Sequence, residues 1–202
     1  MSDVLILIPA AGASSRMRGP DKLLEKIQGQ TQLTRVVTAA LATEARVVVC
    51  LPSLTGERAE VLASLACERL QLIPVPDPRE GMAASLRCGA EWVLRGVVPD
   101  GIMILPADMP ELETKDFQDV MKRFSGAPRH PVRGCADDGK PGHPVILPAR
   151  MLNSLTQLRG DQGAKTLLEG EAVTRVPLKG QRARIDLDTP EDWADWRGHR
   201  GL

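Results

Sequence analysis

At 202 residues the chain fits one domain of ordinary size with a real core, and its 43% hydrophobic content is normal for a globular protein. Lys plus Arg and Asp plus Glu are both 26, so the formal net charge is zero, which argues against a broad nucleic-acid surface. Three Trp, two Phe and no Tyr leave little for base-stacking platforms, and no apolar run approaches membrane-spanning length.

The predicted elements begin with a buried strand over residues 4–8, five apolar residues in a row. Residues 9–15, Pro9-Ala10-Ala11-Gly12-Ala13-Ser14-Ser15, carry only small side chains, and Arg16, Arg18 and Lys22 follow, with Gly19-Pro20 turning the chain. Such a loop exposes backbone N–H groups that can point together at an anion, and the three cations supply charge for a polyphosphate. It is neither a Walker A loop nor a G-x-G-x-x-G fingerprint: Met17 stands five residues after Gly12, Leu23 follows Lys22, and Ala13 and Ser14 follow Gly12. The arrangement suggests a bound nucleoside triphosphate; the competing reading is a surface turn with scattered charges.

Helical spacing predicts a helix over 31–43, and RVVVCL over 46–51 is a second buried strand. A helix is expected over 56–70, a strand over 71–75, a helix over 82–96 stopped by Gly96, and a strand over 101–105. Asp108 then sits in a short turn between Pro106 and Pro110, beyond a strand end, where ligands gather in open α/β sheets. There it can hold Mg²⁺ or simply serve as a turn aspartate. Thr114 is the expected N-cap of a helix over 114–124. Gly81 and Ser85, at the start of the 82–96 helix, read either as an approach for a nucleoside or as a packed helix start.

After Gly126 the chain turns rich in Gly, Pro and charge, with short strands expected over 132–136, 145–147, 173–176 and 183–187 and helices over 149–158 and 164–169. His143 lies in a loop-like stretch and Asp161 before a helix, so ordinary structural roles compete with an acceptor-side role. Thr189, Pro190 and Asp192 form a capping signature that leaves Asp186 and Asp188 free; alternation places both on one face of a strand end. Trp193 and Trp196 are expected to pack against the sheet, and residues 199–202 to fray. Cys50, Cys67, Cys88 and Cys135 contain no C-x-x-C; they read as buried free thiols, and with no basic leader at the N-terminus a cytoplasmic location is expected. Alternating strands and helices without a long linker give an α/β class, one domain over 1–202 with a largely parallel sheet.

PAAGASSRMRGPDKLL resembles the L-A-A-G-x-S-x-R-M-G-x-x-K signature of the MobA-like nucleotidyltransferase family, most closely its molybdenum cofactor cytidylyltransferase branch. Arg18 stands where that signature has Gly. Further matches are Gly81, Met82, Ser85 and Leu86 to G-M-x-x-S-L, PADMP around Asp108 to the metal-aspartate motif, Gly142 to Val145 to G-H-P-V, Gly160 to Ala164 to G-D-x-G-A, and Asp188 to Asp192 to D-T-P-E-D. The matches run in family order over nearly the whole chain. The resemblance implies a single-domain, Rossmann-like nucleotidyltransferase fold with a mostly parallel, mixed sheet flanked by helices. Residues 1–110 then bind nucleotide, and 111–202 carry the acceptor side and second metal ligand. It implies nucleotide contacts from Ala10, Ala11, Gly12, Ala13, Ser14, Ser15, Arg16, Lys22, Gly81 and Ser85, catalytic roles for Arg16, Lys22 and Asp108, and Mg²⁺ on Asp108 and Asp188. Asp186 is the weaker candidate for the metal, with orientation of the site as its other reading, and the resemblance places His143 and Asp161 on the acceptor side. The implied reaction joins CTP to the terminal phosphate of molybdopterin with release of pyrophosphate, with an apo-molybdoenzyme as a further partner. Ala11, where GTP-using relatives carry Gly, points to CTP. GTP, another phosphate acceptor, or a non-catalytic nucleotide-binding maturation factor are the competing readings.

Overall fold

The computed structural model describes residues 2–201. β1 (Val4–Pro9), β4 (Val47–Leu51), β5 (Leu70–Pro74) and β6 (Gly101–Ile104) are the buried apolar runs expected from the sequence. Between β1 and β4 lie a hairpin, β2 (Lys26–Ile27) and β3 (Gln30–Thr31), and helix α1 (Gln32–Leu41). The chain continues through α2 (Glu57–Glu60), α3 (Met82–Leu94), α4 (Thr114–Ser125), β7 (Val132–Cys135), β8 (Pro141–Pro148), α5 (Leu152–Leu155), α6 (Ala164–Leu167), β9 (Thr174–Pro177) and α7 (Pro190–Arg200).

The seven-stranded sheet has the order β5-β4-β1-β6-β8-β7-β9, and β8 alone runs against the rest. Its two faces follow from side-chain alternation. Val4, Ile6 and Ile8 of β1 pack with Leu33, Val36 and Val37 of α1 and Phe117, Val120 and Phe124 of α4. Leu5 and Leu7 point the other way, against Leu86, Ala90 and Val93 of α3 and Leu152 and Leu155 of α5. From β1 the chain builds outward through β4 to β5, then returns to lay β6 on the other flank of β1. Strand order therefore reverses between β1 and β6, and the loops after these strands leave the same sheet edge side by side: the crevice of a topological switch point.

Several expected elements are corrected. The 56–70 helix shrinks to α2 and a 3-10 turn over 63–65: its buried apolar face is reduced to Ala59 and Leu62, beside the buried Arg58, and the bonds tighten to Leu65 N–H on Leu62 O before the chain turns back to β5. The 149–158 helix likewise begins as a 3-10 turn and is regular only over α5. No strand forms at 183–187: Arg184 N–H closes a turn onto Gln181 O, and Leu187 N–H bonds Asp108 O, in a loop. The cap of α4 is Glu113, in a capping box with Asp116, because the Thr114 hydroxyl donates to Ala39 O of α1. Cys67 is exposed in a loop, and Cys88 is only half-buried. Trp193 packs with Met17, Ile27 and Leu187 beneath the β1 loop, away from the sheet. α7 stays helical through Arg200, closed by Gly201; Leu202 lies outside the described residues. The hairpin was missed because each strand has two residues and its turn is Gln28-Gly29, both at positive φ, without the Asn-Gly that announces such a turn.

Candidate active site

The loop after β1 opens over a cavity of about 330 Å³. Ala10 N–H still bonds Cys50 O of β4, but the N–H groups of Gly12, Ala13, Ser14 and Ser15 meet no protein acceptor among the described residues. Ser14 (φ 51) and Arg18 (φ 56) bend the chain in the left-handed region, which explains the signature's Gly where this chain has Arg18. Arg58 holds the loop. Its buried guanidinium donates to both carboxylate oxygens of Asp21 (2.6 and 2.8 Å), to Ala10 O (2.6 Å) and to Ser14 Oγ (3.1 Å). Burial raises the pKa of Asp21, but Arg58 and the Leu23 N–H and Ser14 hydroxyl bonds outweigh it and hold the carboxyl below its ordinary value.

Opposite the loop, Lys22 Nζ bridges two carboxylates from remote parts of the chain, Asp108 Oδ2 (2.5 Å) and Asp188 Oδ1 (2.6 Å). Arg16 pairs with the second oxygen of Asp188, and Arg18 with Glu191. Burial lowers the Lys22 pKa, and Asp108 and then Asp188 more than restore it, so the net shift is upward. Asp108 is aimed by its turn: Gln32, itself buried, donates from Nε2 to Ala107 O (2.8 Å). Asp188 is aimed by the Leu187–Asp108 backbone bond and by the cap of α7, where Thr189 and Asp192 form the expected capping box. Asp186 keeps solvent access, yet desolvation and then the charges of Asp108 and Asp188 push its pKa up.

Ala10, Gly12, Ala13, Ser14, Ser15, Arg16, Lys22, Gly81, Ser85, Asp108, Asp161 and Asp188 all line this one cavity. Gly81 (φ 104) lies so close to the 160–161 turn that a Cβ would come within 2.8 Å of Gly160 O, which brings Asp161 to the site. Asp161 is not a helix cap; Gly163 takes that position on α6. Ala11 is buried and lines instead an adjoining hollow with Pro52, Ser53, Gly56 and Arg58. The two spaces share Gly12, Ala13, Pro78 and Arg79. His143 lines a third hollow, which meets the first at Met82, Pro106 and Asp108. Burial first, then Arg133, lowers its pKa to about 4, so it is neutral at physiological pH.

Sequence reasoning missed Arg58, Asp21 and Arg79. Arg58 gave no signal, because an arginine in a helical stretch reads as a solvated face. Asp21 stood inside the signature as an unremarked letter, and Arg79 followed a strand end at the same sheet edge as the β1 loop. Among the described residues no three His, Cys, Asp or Glu side chains form a ready metal cage. Asp108 and Asp188 nevertheless reach one cationic atom from two sides, so this pair fits a hard divalent cation that draws its other ligands from phosphate and water.

A family model described as a MobA-like NTP transferase domain matches residues 6–176. A protein of Synechococcus elongatus named probable molybdenum cofactor guanylyltransferase is 28% identical over 190 residues, 91% of this chain and 93% of that protein. The crystal structure of Rv0371c from Mycobacterium tuberculosis H37Rv superposes with a TM-score of 0.80 at 24% identity, covering 96% of both chains. A second Rv0371c structure, described as a complex with manganese, gives a TM-score of 0.75 at 21% identity, covering 96% of this chain and 97% of that one. The structural likeness bears on the fold.

Proposed function

The chain belongs to the MobA-like NTP transferase family, and from that premise we propose that it transfers CMP from CTP to the terminal phosphate of molybdopterin, releasing pyrophosphate, with Mg²⁺ at Asp108 and Asp188. The observation that carries the reading is the convergence of Asp108 and Asp188 on Lys22 at the mouth of the small-residue loop.

The acceptor is a phosphomonoester, whose second pKa near ~6 leaves its oxygens ionised at neutral pH, so no strong general base is required. One acceptor oxygen bonds to the α-phosphorus. The bond from that phosphorus to the bridging oxygen breaks, and pyrophosphate leaves with the electron pair. The protein's task is alignment and charge neutralisation. The free N–H groups of residues 12–15 and the Arg16 and Lys22 cations receive the phosphates, while Gly81 and Ser85 at the start of α3 border the sugar. Mg²⁺, held by Asp108 and Asp188, would neutralise charge between the α-phosphate and the leaving group. The manganese complex of the Mycobacterium tuberculosis relative supports a divalent ion in this fold.

The hollow beside Ala11 continues the phosphate cavity and suits the base, and the Ala11 methyl on its wall favours a pyrimidine by steric exclusion. A GTP-using reading is kept because the Synechococcus relative is named a guanylyltransferase. Competition of CTP and GTP at equal concentration, with molybdopterin and Mg²⁺, decides between them. Predominant cytidylyl transfer is expected; predominant guanylyl transfer rejects the CTP assignment, and loss of Asp108 without loss of turnover rejects the site.

A further inference from the structure

The third hollow, about 260 Å³, meets the nucleotide cavity at Met82, Pro106 and Asp108. Its far wall holds Arg133 of β7, His143 of β8, Arg184 of the turn after β9, and Asp186. Arg133 is half-buried and donates from Nε and Nη2 to Gly142 O at 3.1 and 2.9 Å. Neither Arg133 nor Arg184 forms an ion pair among the described residues. His143 Nδ1, also in this wall, is buried without a hydrogen-bond partner among them. Two guanidinium groups without an ion pair and the His143 ring therefore line one space, together with the carboxylates of Asp108 and Asp186.

The fold builds this wall deliberately close. His143 N–H bonds Ala183 O at 2.7 Å, and a Cβ on Gly142 would overlap that same Ala183 carbonyl. The turn that carries Arg184 is thus clamped onto β8 beside Arg133. A half-buried guanidinium without a counter-ion is costly, and Arg175 adds to the cost by lowering the Arg133 pKa after burial itself. An anion in the hollow relieves both.

The reaction makes the same demand. A phosphomonoester brought next to a triphosphate meets strong repulsion, and Lys22 and Arg16 are already engaged with Asp108, Asp188 and the nucleotide. The acceptor's charge needs cations of its own, on the side of Asp108 away from the phosphate loop.

We propose that Arg133 and Arg184 form a second anion site, distinct from the triphosphate loop, that holds the phosphomonoester of the acceptor, with the His143 ring forming part of its wall. The proposal rests on the nucleotidyltransferase reading of the neighbouring cavity. Its test is the Arg133→Gln, Arg184→Gln double variant beside the parent, with thermal melts to check folding and each single variant as a back-up. Nucleotide affinity is measured by calorimetry, and inorganic phosphate binding to the nucleotide-loaded protein by ³¹P NMR. The KM for molybdopterin is measured at saturating nucleotide.

The double variant is expected to raise the acceptor KM by about tenfold or more and to lose phosphate binding, as the removal of charged hydrogen bonds implies. Its nucleotide affinity stays within about twofold, less than the loss of one such bond would cause. Equal phosphate binding by parent and double variant overturns the anion site. An equal fall in nucleotide affinity overturns it too, by giving the arginines to the triphosphate. If the parent transfers nothing to molybdopterin while arginine-dependent phosphate binding persists, the functional reading falls and the anion site stands.

Discussion

The two arms that close on Lys22 are held in different ways. The arm after β1 is anchored inside the protein: Arg58 ties Asp21, Ala10 and Ser14 together in a buried cluster, and Met17 packs under the loop against Trp193. The arm that carries Asp188 has no strand beneath it. Leu187 packed in the Trp193 cluster, one backbone bond to Asp108, the cap of α7 and the exposed pairs from Arg16 and Arg18 hold it. The arm after β1 is therefore preformed, and the carboxylate arm is positioned largely by what it meets.

The sharpest way to break this contrast is Arg58→Met, which leaves Asp21 unpaired and is expected to cost about 3–5 kcal/mol in stability by denaturant unfolding. Because Asp21 is held below its ordinary value, its contribution is complete above the usual carboxylate range and is lost as pH falls through the folded pKa. The gap between parent and Arg58→Met thus narrows as the medium is made acidic. A gap that widens instead would show that Asp21 is not the partner that matters.

Next come the carboxylates. Asp108→Asn and Asp188→Asn should each lower Mg²⁺-dependent turnover by roughly 10²–10³-fold or more, with circular dichroism unchanged, since an amide keeps the shape and loses the charge. Normal Mg²⁺ dependence in Asp188→Asn would move the second ligand to Asp186. Lys22→Ala should cost about 2–3 kcal/mol in transition-state stabilisation and Arg16→Ala less, because charged bonds weaken where solvent competes. Lys22 is 17% exposed and Arg16 72%. Steady-state kinetics ranks them, and a larger Arg16 effect would invert the assignment. The smallest effects belong to the carboxylate arm's own fastenings. Thr189→Ala should cost about 1 kcal/mol through the lost cap, and Glu191→Gln less than that, both by thermal melting. A cost for Glu191→Gln matching that of Arg58→Met would erase the distinction between the arms.

Much of the first arm was legible because its signals are local. An apolar run, small residues and cations fall within 22 positions, and β1, β4 and β6 announce themselves by continuous burial. Asp108 was legible for the same reason, a carboxylate just beyond a strand end. The second arm was half legible. The capping box around Thr189 is a local pattern and is present, but the strand expected before it is not, because alternation at Ile185 to Asp188 says nothing about whether a partner strand is within reach. Arg58 was illegible: only packing turns that side chain inward. The segregation of Ala11 and His143 into adjoining hollows depends on loop paths that no spacing rule encodes.

Lys22 and Asp188 lie 166 residues apart, while Lys22 and Asp108 lie 86 apart. On a ribosome adding roughly 5–20 residues per second, the interval between the first pair is roughly 8–33 s. Over the last 80 residues of it, roughly 4–16 s, a nascent chain carries Lys22 and Asp108 without Asp188. A product truncated before Asp188 therefore lacks one of the two carboxylates that meet on Lys22.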